Sequence, residues 1–445
     1  MKKLLIPFII FFATGTNAQT ITIDRNEAIA GIIGNISTDS LKSYITKMVG
    51  FGTRHTLSSQ TNPARGIGAA RNYVFYKFKE FEKYAGGRLT SYIDTTMIVA
   101  DGKRVDRNII LGNVMGVLKG TDANDKRVFI ISGHLDSRNT NIMDSIGEAP
   151  GANDDASGVA AVIEAARVMS KIPMAATVIF VAVSGEEQGL LGSHYLATKA
   201  KAEKWEIGAM LNNDIVGSNN SNETNIINNT QVRVFSEGIP ATADEKTAQR
   251  IRFLGLENES PSRQLARYVK EIGERYVDHI EVVLMYRPDR FLRGGDHIPF
   301  LKNGFTAVRI TEMNENFNRQ HQDLRTEDGI EYGDYIKYID FDYLKKNTGV
   351  NVAVLANLAS APSQPQQPKM DTKELTNSSL LSWLPPVNGK VKGYNILIRE
   401  TSSPVWQKKF FTTANSLRIP FSKDNYLFGV QAIGEDGNES GYVSF

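Results

Sequence analysis

The sequence predicts an α/β protein with a mostly parallel central sheet flanked by helices, followed by a small all-β sandwich. Two short apolar runs, at residues 128–132 and 177–183, have the continuous pattern of strands that are buried on both faces. The segment between them carries apolar side chains at helical spacing over residues 158–169, and this strand–helix–strand order implies a parallel crossover. Beyond residue 379 the chain changes to short alternating strands, which indicate a separate β unit.

The elements around this crossover follow from the same periodicities. Apolar spacing of three and four predicts helices over residues 41–49, 66–84 and 190–201. Alternating or β-branched stretches predict strands over residues 89–100, 107–119, 207–211 and 307–310. In the crossover helix, Glu164 and Arg167 are expected on the exposed face. A stretch rich in Asn and Ser predicts a rim loop at residues 217–230.

Prolines and glutamines mark a boundary near residue 360. Pro362, Pro365 and Pro368 predict a semi-extended linker at residues 361–378, after a first domain at residues 19–360. Short strands then predict a sandwich-type module at residues 379–445, with strands at residues 382–384, 393–400, 406–412 and 426–433.

The first 18 residues have the pattern of a signal peptide. Lys2 and Lys3 precede an apolar run, and Thr16 and Ala18 occupy the −3 and −1 positions of a cleavage site before Gln19. The apolar run is shorter than the roughly 20 residues that a membrane-spanning helix needs. We therefore expect an exported protein, periplasmic or secreted, that does not span the membrane.

Charge and cysteine content narrow the function. The chain has 51 Lys and Arg residues, so losing Lys2 and Lys3 leaves 49, against 49 Asp and Glu. A nearly neutral mature chain has no basic surplus for nucleic acid. Cysteine is absent, so a metal site must be built from His, Asp and Glu.

Acidic residues and histidines follow the predicted strands. In an open parallel sheet, ligands bind beyond the carboxyl ends of the strands. Four strand ends or helix starts deliver to one rim His134, Asp154, Glu186, Glu187 and Asp214. These segments contain almost no Lys or Arg, so a divalent cation is the natural counter-charge for so many carboxylates.

The residue types favour zinc, because calcium and magnesium prefer all-oxygen ligand shells. Asp136 lies two residues after His134 and, in extended chain, can accept a hydrogen bond from the imidazole N–H and fix its tautomer.

The adjacent carboxylates of Glu186 and Glu187 point in different directions, so one can bind metal while the other takes a proton from water. Asp155 is the expected cap of the crossover helix.

These motifs resemble the M28 family of zinc peptidases over residues 40–360. The resemblance rests on His134-Leu135-Asp136, on 153–158 (Asn-Asp-Asp-Ala-Ser-Gly), on Glu186-Glu187, on Asn213-Asp214 and on 296–300 (Asp-His-x-Pro-Phe). It implies a zinc-exopeptidase fold and two zinc ions bridged by Asp154. One ion would also be held by His134 and Asp214, and the other by Glu187 and His321. Glu186 would be the general base and Asp136 would orient His134.

The resemblance implies cleavage of peptide substrates, most directly by an aminopeptidase. Glutaminyl cyclases of the same fold, carboxypeptidases of the same family and a non-enzymatic adhesion protein remain alternatives. Residues 379–445 resemble a fibronectin type III module, expected to tether the enzyme to carbohydrate or protein. His297 is expected to line the pocket, whereas His55, His194 and His279 are expected to have no chemical role.

Overall fold

A computed structural model describes residues 25–445. The predicted signal peptide at residues 1–18, with its cleavage site, lies outside the described residues. Within residues 25–445, no helix combines the length and the apolar character needed to cross a membrane.

The first part of the chain alternates helices and strands. Its helices are α1 (Glu27–Gly34), α2 (Thr38–Val49), α3 (Ile67–Phe81), α4 (Ala156–Met169), α5 (Leu191–Ala202), α6 (Glu245–Leu254), α7 (Pro261–Tyr276), α8 (His297–Lys302) and α9 (Phe341–Ser360). Its strands are β1 (Leu89–Ile98), β2 (Ile109–Leu118), β3 (Arg127–His134), β4 (Thr177–Val183), β5 (Glu206–Asn213), β6 (Gln231–Phe235), β7 (Glu281–Met285), β8 (Ala307–Glu312), β9 (Arg325–Glu327) and β10 (Ile330–Tyr332).

Eight strands form one sheet in the order β1-β2-β4-β3-β5-β8-β6-β7. The four central strands, β4, β3, β5 and β8, are all parallel to one another, and β6 is parallel to β7. The pairs β1/β2, β2/β4 and β6/β8 are antiparallel. The predicted sheet, mostly parallel and flanked by helices, is confirmed.

Helices cover both faces of the sheet. Alternate residues of β3 divide between the two cores, with Phe129 and Ile131 on one face and Ile130 on the other. Helices α1 to α4, α7 and α9 pack on the first face, and α5 and α8 pack on the second. Since both faces are buried, the central strands carry continuous apolar runs instead of alternating ones.

The prediction that Glu164 is exposed on α4 is wrong. Its side chain is fully buried, because α2 packs across that face of α4. The carboxylate accepts hydrogen bonds from the backbone N–H of Ser37 at 2.7 Å and pairs with Arg167 at 2.5 Å. An acidic residue inside an apolar pattern therefore marked a buried ion pair.

Two antiparallel sheets follow α9 and share one core. Strands β11 (Gln366–Met370), β12 (Ser379–Leu384) and β15 (Ser416–Ile419) form the first sheet, and β13 (Val391–Glu400), β14 (Lys408–Thr412), β16 (Tyr426–Gly434) and β17 (Val443–Ser444) form the second. Leu381 and Trp383 of the first sheet pack with Ile396 and Val430 of the second. The predicted linker at residues 361–378 differs in part, because β11 pairs with β12.

This β module packs tightly against helix α7. The ring of Tyr442 lies 5.5 Å from that of Tyr268, whose hydroxyl donates to the carbonyl of Glu439 at 2.6 Å. Arg275 pairs with the Glu439 carboxylate at 2.6 Å. The module is therefore held by a buried interface in addition to its chain connection.

Candidate metal centre

His134 is the last residue of β3, at the carboxyl edge of the central sheet. The neighbouring Gly133 allows α4 to cross very close to this strand, since a Cβ there would lie 2.5 Å from the backbone carbon of Gly158. The imidazole is 1% exposed, and its Nδ1 lies 3.0 Å from the backbone carbonyl of Asp136. The Nε2 atom of His134 is thereby directed at the start of α4.

The start of α4 is fixed by carboxylates that bind backbone N–H groups. Asp155 caps the helix at Gly158, as expected, and its other oxygen accepts from the backbone N–H of His134 at 2.9 Å. Asp334 accepts from the backbone N–H groups of Asn153 and Asp154 at 2.7–3.0 Å. With its own backbone held in this way, Asp154 presents both carboxylate oxygens to the cleft.

The loop after β4 carries Glu186 and Glu187. The Asp136 carboxylate accepts hydrogen bonds from the backbone N–H groups of Gly185, Glu186 and Glu187 at 2.9–3.2 Å. Glu187 is buried, whereas Glu186 is partly open to solvent. The loop therefore places Glu187 in a buried position and Glu186 in a solvent-accessible one.

The expected contact between the Asp136 carboxylate and His134 is replaced by a different arrangement. The nearest carboxylate oxygen is 3.8 Å from Nδ1, and the backbone carbonyl of Asp136 takes the hydrogen-bonding position instead. The carboxylate is occupied by the 185–187 loop and by the hydroxyl of Thr56 at 2.9 Å. Asp136 thus orients His134 through its main chain and the glutamate loop through its side chain.

Asp214 follows the last residue of β5, beside the fully buried Arg309 of β8. Their ion pair is 3.0 Å long, and the same guanidinium reaches Asp289 at 3.3 Å. Asp214 lies 3.7 Å from Nε2 of His134 through its own Oδ1. Parallel β5 and β8 therefore bring a ligand and its counter-charge to the same edge.

His321 enters the cleft from a turn after β8, with a left-handed backbone φ of 53°. Its Nε2 lies 3.0 Å from Oδ2 of Asp154 and 2.8 Å from Oε1 of Glu187. Its Nδ1 lies 2.7 Å from a guanidinium nitrogen of Arg138. All five residues predicted to hold metal therefore lie together, although they are spread from residue 134 to residue 321 in the sequence.

The five side chains form two three-residue sets that share Asp154. His134, Asp154 and Asp214 make the first set, and Asp154, Glu187 and His321 make the second, with ligand atoms within 4.8 Å of one another in each. Nε2 of His134 is 3.0 Å from Oδ1 of Asp154, so the two histidines face different oxygens of this carboxylate. Ligands of tetrahedral zinc lie about 3.3 Å apart, since each bond is about 2.0–2.2 Å long. The separations and the mixed nitrogen and oxygen donors fit zinc.

Charges in the cleft shift several pKa values. Burial tends to raise the pKa of Asp214, but Arg309 and His134 outweigh burial and hold it at about 2. Burial raises the pKa of Glu186 well above its usual range, and the nearby acids Glu187 and Asp214 add to this shift. The ligand carboxylate is therefore ionised, while the accessible glutamate has a raised proton affinity.

The two histidines respond to the same carboxylates. Burial tends to lower the pKa of His134, but Asp155 and Asp154 outweigh it and raise the pKa. Glu187 and Asp154 likewise raise the pKa of His321 to about 10. A cation that binds either ring must displace a proton, so its affinity depends on pH.

The sequence patterns do not indicate the arginines of this cleft. Arg138 follows Asp136 by two residues, and Arg309 comes from β8, far along the chain. Arg54, which is 1% exposed, donates to the backbone carbonyls of Leu135, Pro150 and Gly151 and supports the loop between β3 and α4. The position of Arg138 beside a predicted ligand motif was a usable signal, whereas the other two required the fold.

The remaining histidines lie outside the two ligand sets. His194 and His279 are exposed, and His55 is buried with Nε2 2.9 Å from the carbonyl of Ile142. His297 is buried behind the cleft, with Nε2 2.8 Å from the carbonyl of Pro288. None of these four rings belongs to a group of potential ligands within the described chain.

A cluster of His, Asp and Glu at the carboxyl edge of a mostly parallel sheet defines a metal-binding α/β protein. More particularly, the chain belongs to peptidase family M28, whose family model matches residues 113–340. That span contains both ligand sets and Glu186. The chain is a zinc metallopeptidase of this type.

Relatives agree with this assignment, and solved structures share the fold. A probable zinc metalloprotease of Pyricularia oryzae is 41% identical over 415 residues, covering 92% of this chain and 82% of the relative. A probable zinc metalloprotease of Leptosphaeria maculans is 40% identical, covering 93% and 96%. The LapA aminopeptidase of Legionella pneumophila has a similar fold, with a TM-score of 0.52, 19% identity and 76% of each chain covered. LapB of the same organism has a TM-score of 0.53 at 16% identity, again with 76% of each chain covered.

Proposed function

We propose that this zinc metallopeptidase is an aminopeptidase that uses two zinc ions to remove N-terminal residues from peptides. The position of Glu186 carries the hydrolytic part of the proposal. Asp136 holds the backbone of Glu186 directly beside the ligand Glu187, yet the Glu186 carboxyl belongs to neither ligand set. A carboxylate free of metal and partly open to solvent is what a general base needs.

The roles of the other residues follow from their contacts. His134, Asp154 and Asp214 would hold one zinc ion, and Asp154, Glu187 and His321 would hold the other. Bound zinc supplies Lewis acidity toward the scissile carbonyl and lowers the pKa of water. Glu186 takes the proton of the attacking water and gives it to the leaving amine, while Asp136 keeps the loop of Glu186 in place.

Three peptides of one sequence and a fourth that begins with glutamine distinguish the possible reactions. The first three carry two free ends, an acetylated N-terminus or an amidated C-terminus. We expect hydrolysis of the free and amidated peptides and no cleavage of the acetylated one. Selective loss of the amidated peptide would favour a carboxypeptidase, and cyclisation of the glutaminyl peptide without hydrolysis would favour a glutaminyl cyclase.

Replacing the base tests the mechanism separately from specificity. We expect Glu186→Gln to keep the zinc content of the wild type, measured by mass spectrometry, because Glu186 is not a ligand. Turnover should fall by about 10²–10⁴-fold, the usual contribution of general acid–base catalysis. Unchanged turnover would remove Glu186 from the mechanism.

We also propose export through the signal peptide at residues 1–18, to the periplasm or the medium. The mature protein recovered there should begin at Gln19, which N-terminal sequencing checks.

We propose that the β module is fibronectin type III-like and that it positions the enzyme toward carbohydrate or protein. Its fixed docking on α7 supports this role, since it holds the module in one orientation to the catalytic domain.

A further inference from the structure

Arg138 contacts two members of the second ligand set at once. Its Nε lies 2.9 Å from Oε2 of Glu187, and its Nη2 lies 2.7 Å from Nδ1 of His321. Its side chain is 19% exposed. The arginine is therefore a partly exposed neighbour of both Glu187 and His321.

The contact with His321 restricts the imidazole. A guanidinium only donates hydrogen bonds, so Nδ1 must accept, and the proton that the carboxylates favour lies on Nε2. A cation at Nε2 removes that proton, and a neutral ring then carries its remaining proton on Nδ1, facing another donor. Filling the second site therefore requires Arg138 to give up this contact.

Arg309, which pairs with Asp214 of the first set, is arranged differently. It binds Asp214 at 3.0 Å, but its charge is shared with Asp289 at 3.3 Å, and it contacts no ligand imidazole. Within residues 25–445, the ion pairs of Arg138 involve Glu187 alone. A cation at the second site would face an arginine whose charge is left uncompensated, since the same cation takes up the charge of Glu187.

We propose that Arg138 is a positioning residue that makes the second cation site weaker than the first. Without a cation it holds Glu187 and His321 in register by charge and hydrogen bonding. With a cation it opposes binding by charge repulsion and by the lost contact with His321. The two zinc ions therefore bind in sequence, with the first set, His134, Asp154 and Asp214, filled first. This inference rests on the two-zinc site of the proposed function.

Zinc titration of the metal-free full-length protein, followed by calorimetry, tests the proposal without reference to activity. The variant Arg138→Met removes the charge and keeps the length of the side chain, whereas Arg138→Lys keeps the charge. Arg325→Met is the control, because Arg325 is partly exposed and pairs with the exposed Glu327. We expect two resolved binding steps in the wild type and in the control.

In Arg138→Met, the second zinc should bind at least about tenfold more tightly, because a like charge within a few ångströms of the cation is removed. The first step should stay unchanged, and Arg138→Lys should keep the weak second step. A second step in Arg138→Met that is absent, unchanged or weaker than in the wild type overturns the proposal. A second step in Arg138→Lys that is as tight as in Arg138→Met also overturns it, because charge would then not be a cause. A wild type that binds no zinc would instead refute the two-zinc site itself.

Discussion

At the residue scale, the Asp136 carboxylate has more partners than any single metal-site role needs. Three backbone N–H groups of the 185–187 loop and the Thr56 hydroxyl all donate to it. An ionised carboxylate has about four acceptor positions, so its capacity is filled. We infer that its charge is used to place the Glu186–Glu187 loop.

Asp136→Asn tests this role, because an amide group places donors against backbone donors and displaces the loop. We expect kcat to fall by about 10–100-fold, as is typical for groups that support a metal site. Zinc content should be retained, since the nearest ligand nitrogen lies 3.8 Å from the carboxylate. The exposed Asp106, changed to Asn, is the matched control, and equal kcat in both variants would contradict the role.

The convergence of His134, Asp154, Glu187 and Asp214 could be predicted from the sequence, because each follows a strand or starts a helix at one sheet edge. His321 lies in a turn well after β8 and was expected only from the resemblance to the M28 family. The arginines could not be predicted in the same way. Their contacts depend on side-chain reach and on loops whose path is fixed only by tertiary packing. The low Lys and Arg content of the ligand-bearing segments therefore did not indicate how much positive charge the fold places at the metal cleft.

At the element scale, helices and strands with one clear periodicity were predicted well. β4 spans the predicted residues 177–183, and α4 begins two residues earlier than predicted, at the cap provided by Asp155. The sequence pattern does not indicate α7, whose buried face carries Arg263 and Arg267. These buried arginines interrupt the apolar pattern that would indicate a helix. They can be buried because their side chains donate hydrogen bonds to backbone carbonyls.

The cap of α4 should be worth more than an ordinary cap. Besides Gly158, Asp155 binds the backbone N–H groups of His134 and Ile215, so Asp155→Ala leaves three buried donors without an acceptor. Each buried N–H group left without an acceptor costs about 1–3 kcal/mol, so we expect a loss of about 3 kcal/mol or more in unfolding free energy. The exposed cap Asp244 of α6 binds Thr247 alone, and Asp244→Ala should cost about 1 kcal/mol. Equal losses in chemical denaturation would contradict this account.

The interface between α7 and the β module should depend on pH. Burial tends to raise the pKa of Glu271, but Lys409, Tyr442 and Arg275 outweigh burial and lower it below its ordinary 4.5. A lowered folded-state pKa gives stability that is present above pH 4.5 and is lost as the pH falls through the folded-state value. We therefore expect the unfolding free energy to fall on acidification in this range.

Glu271→Gln should flatten that pH dependence and cost about 1–3 kcal/mol at neutral pH, as hydrogen bonds to a charged group are lost. Unfolding free energies measured from pH 3 to pH 7 in both proteins check this. The exposed Glu327, changed to Gln, serves as control. A Glu271→Gln protein with the slope of the wild type would contradict the assignment.

At the scale of the whole molecule, the β module is joined to the peptidase part by packing. Tyr268 is fully buried beneath Tyr442 and the Glu439 backbone, and Asn357 of α9 donates to the same hydroxyl at 2.5 Å. The prolines near residue 362 predicted a boundary between two domains. Their composition gave no information on docking, because interface contacts come from residues far apart in sequence.

Removal of residues 361–445 should therefore destabilise the remaining domain. Exposing Tyr268 and its neighbours costs about 1.5–3 kcal/mol for each large side chain that is no longer buried. We expect the truncated chain to unfold at least about 3 kcal/mol more easily and to aggregate more readily. A truncated domain with the unfolding free energy of the full chain would show that the module is independent.

The central claim is that two ligand sets sharing Asp154 hold zinc at the carboxyl edge of the sheet. Crystals of the zinc-loaded protein, measured on both sides of the zinc absorption edge, test it most directly. We predict two anomalous peaks, one among His134, Asp154 and Asp214 and one among Asp154, Glu187 and His321. Both peaks should contact the Asp154 carboxylate. Zinc bound elsewhere, or no peak within bonding distance of Asp154, would contradict the account.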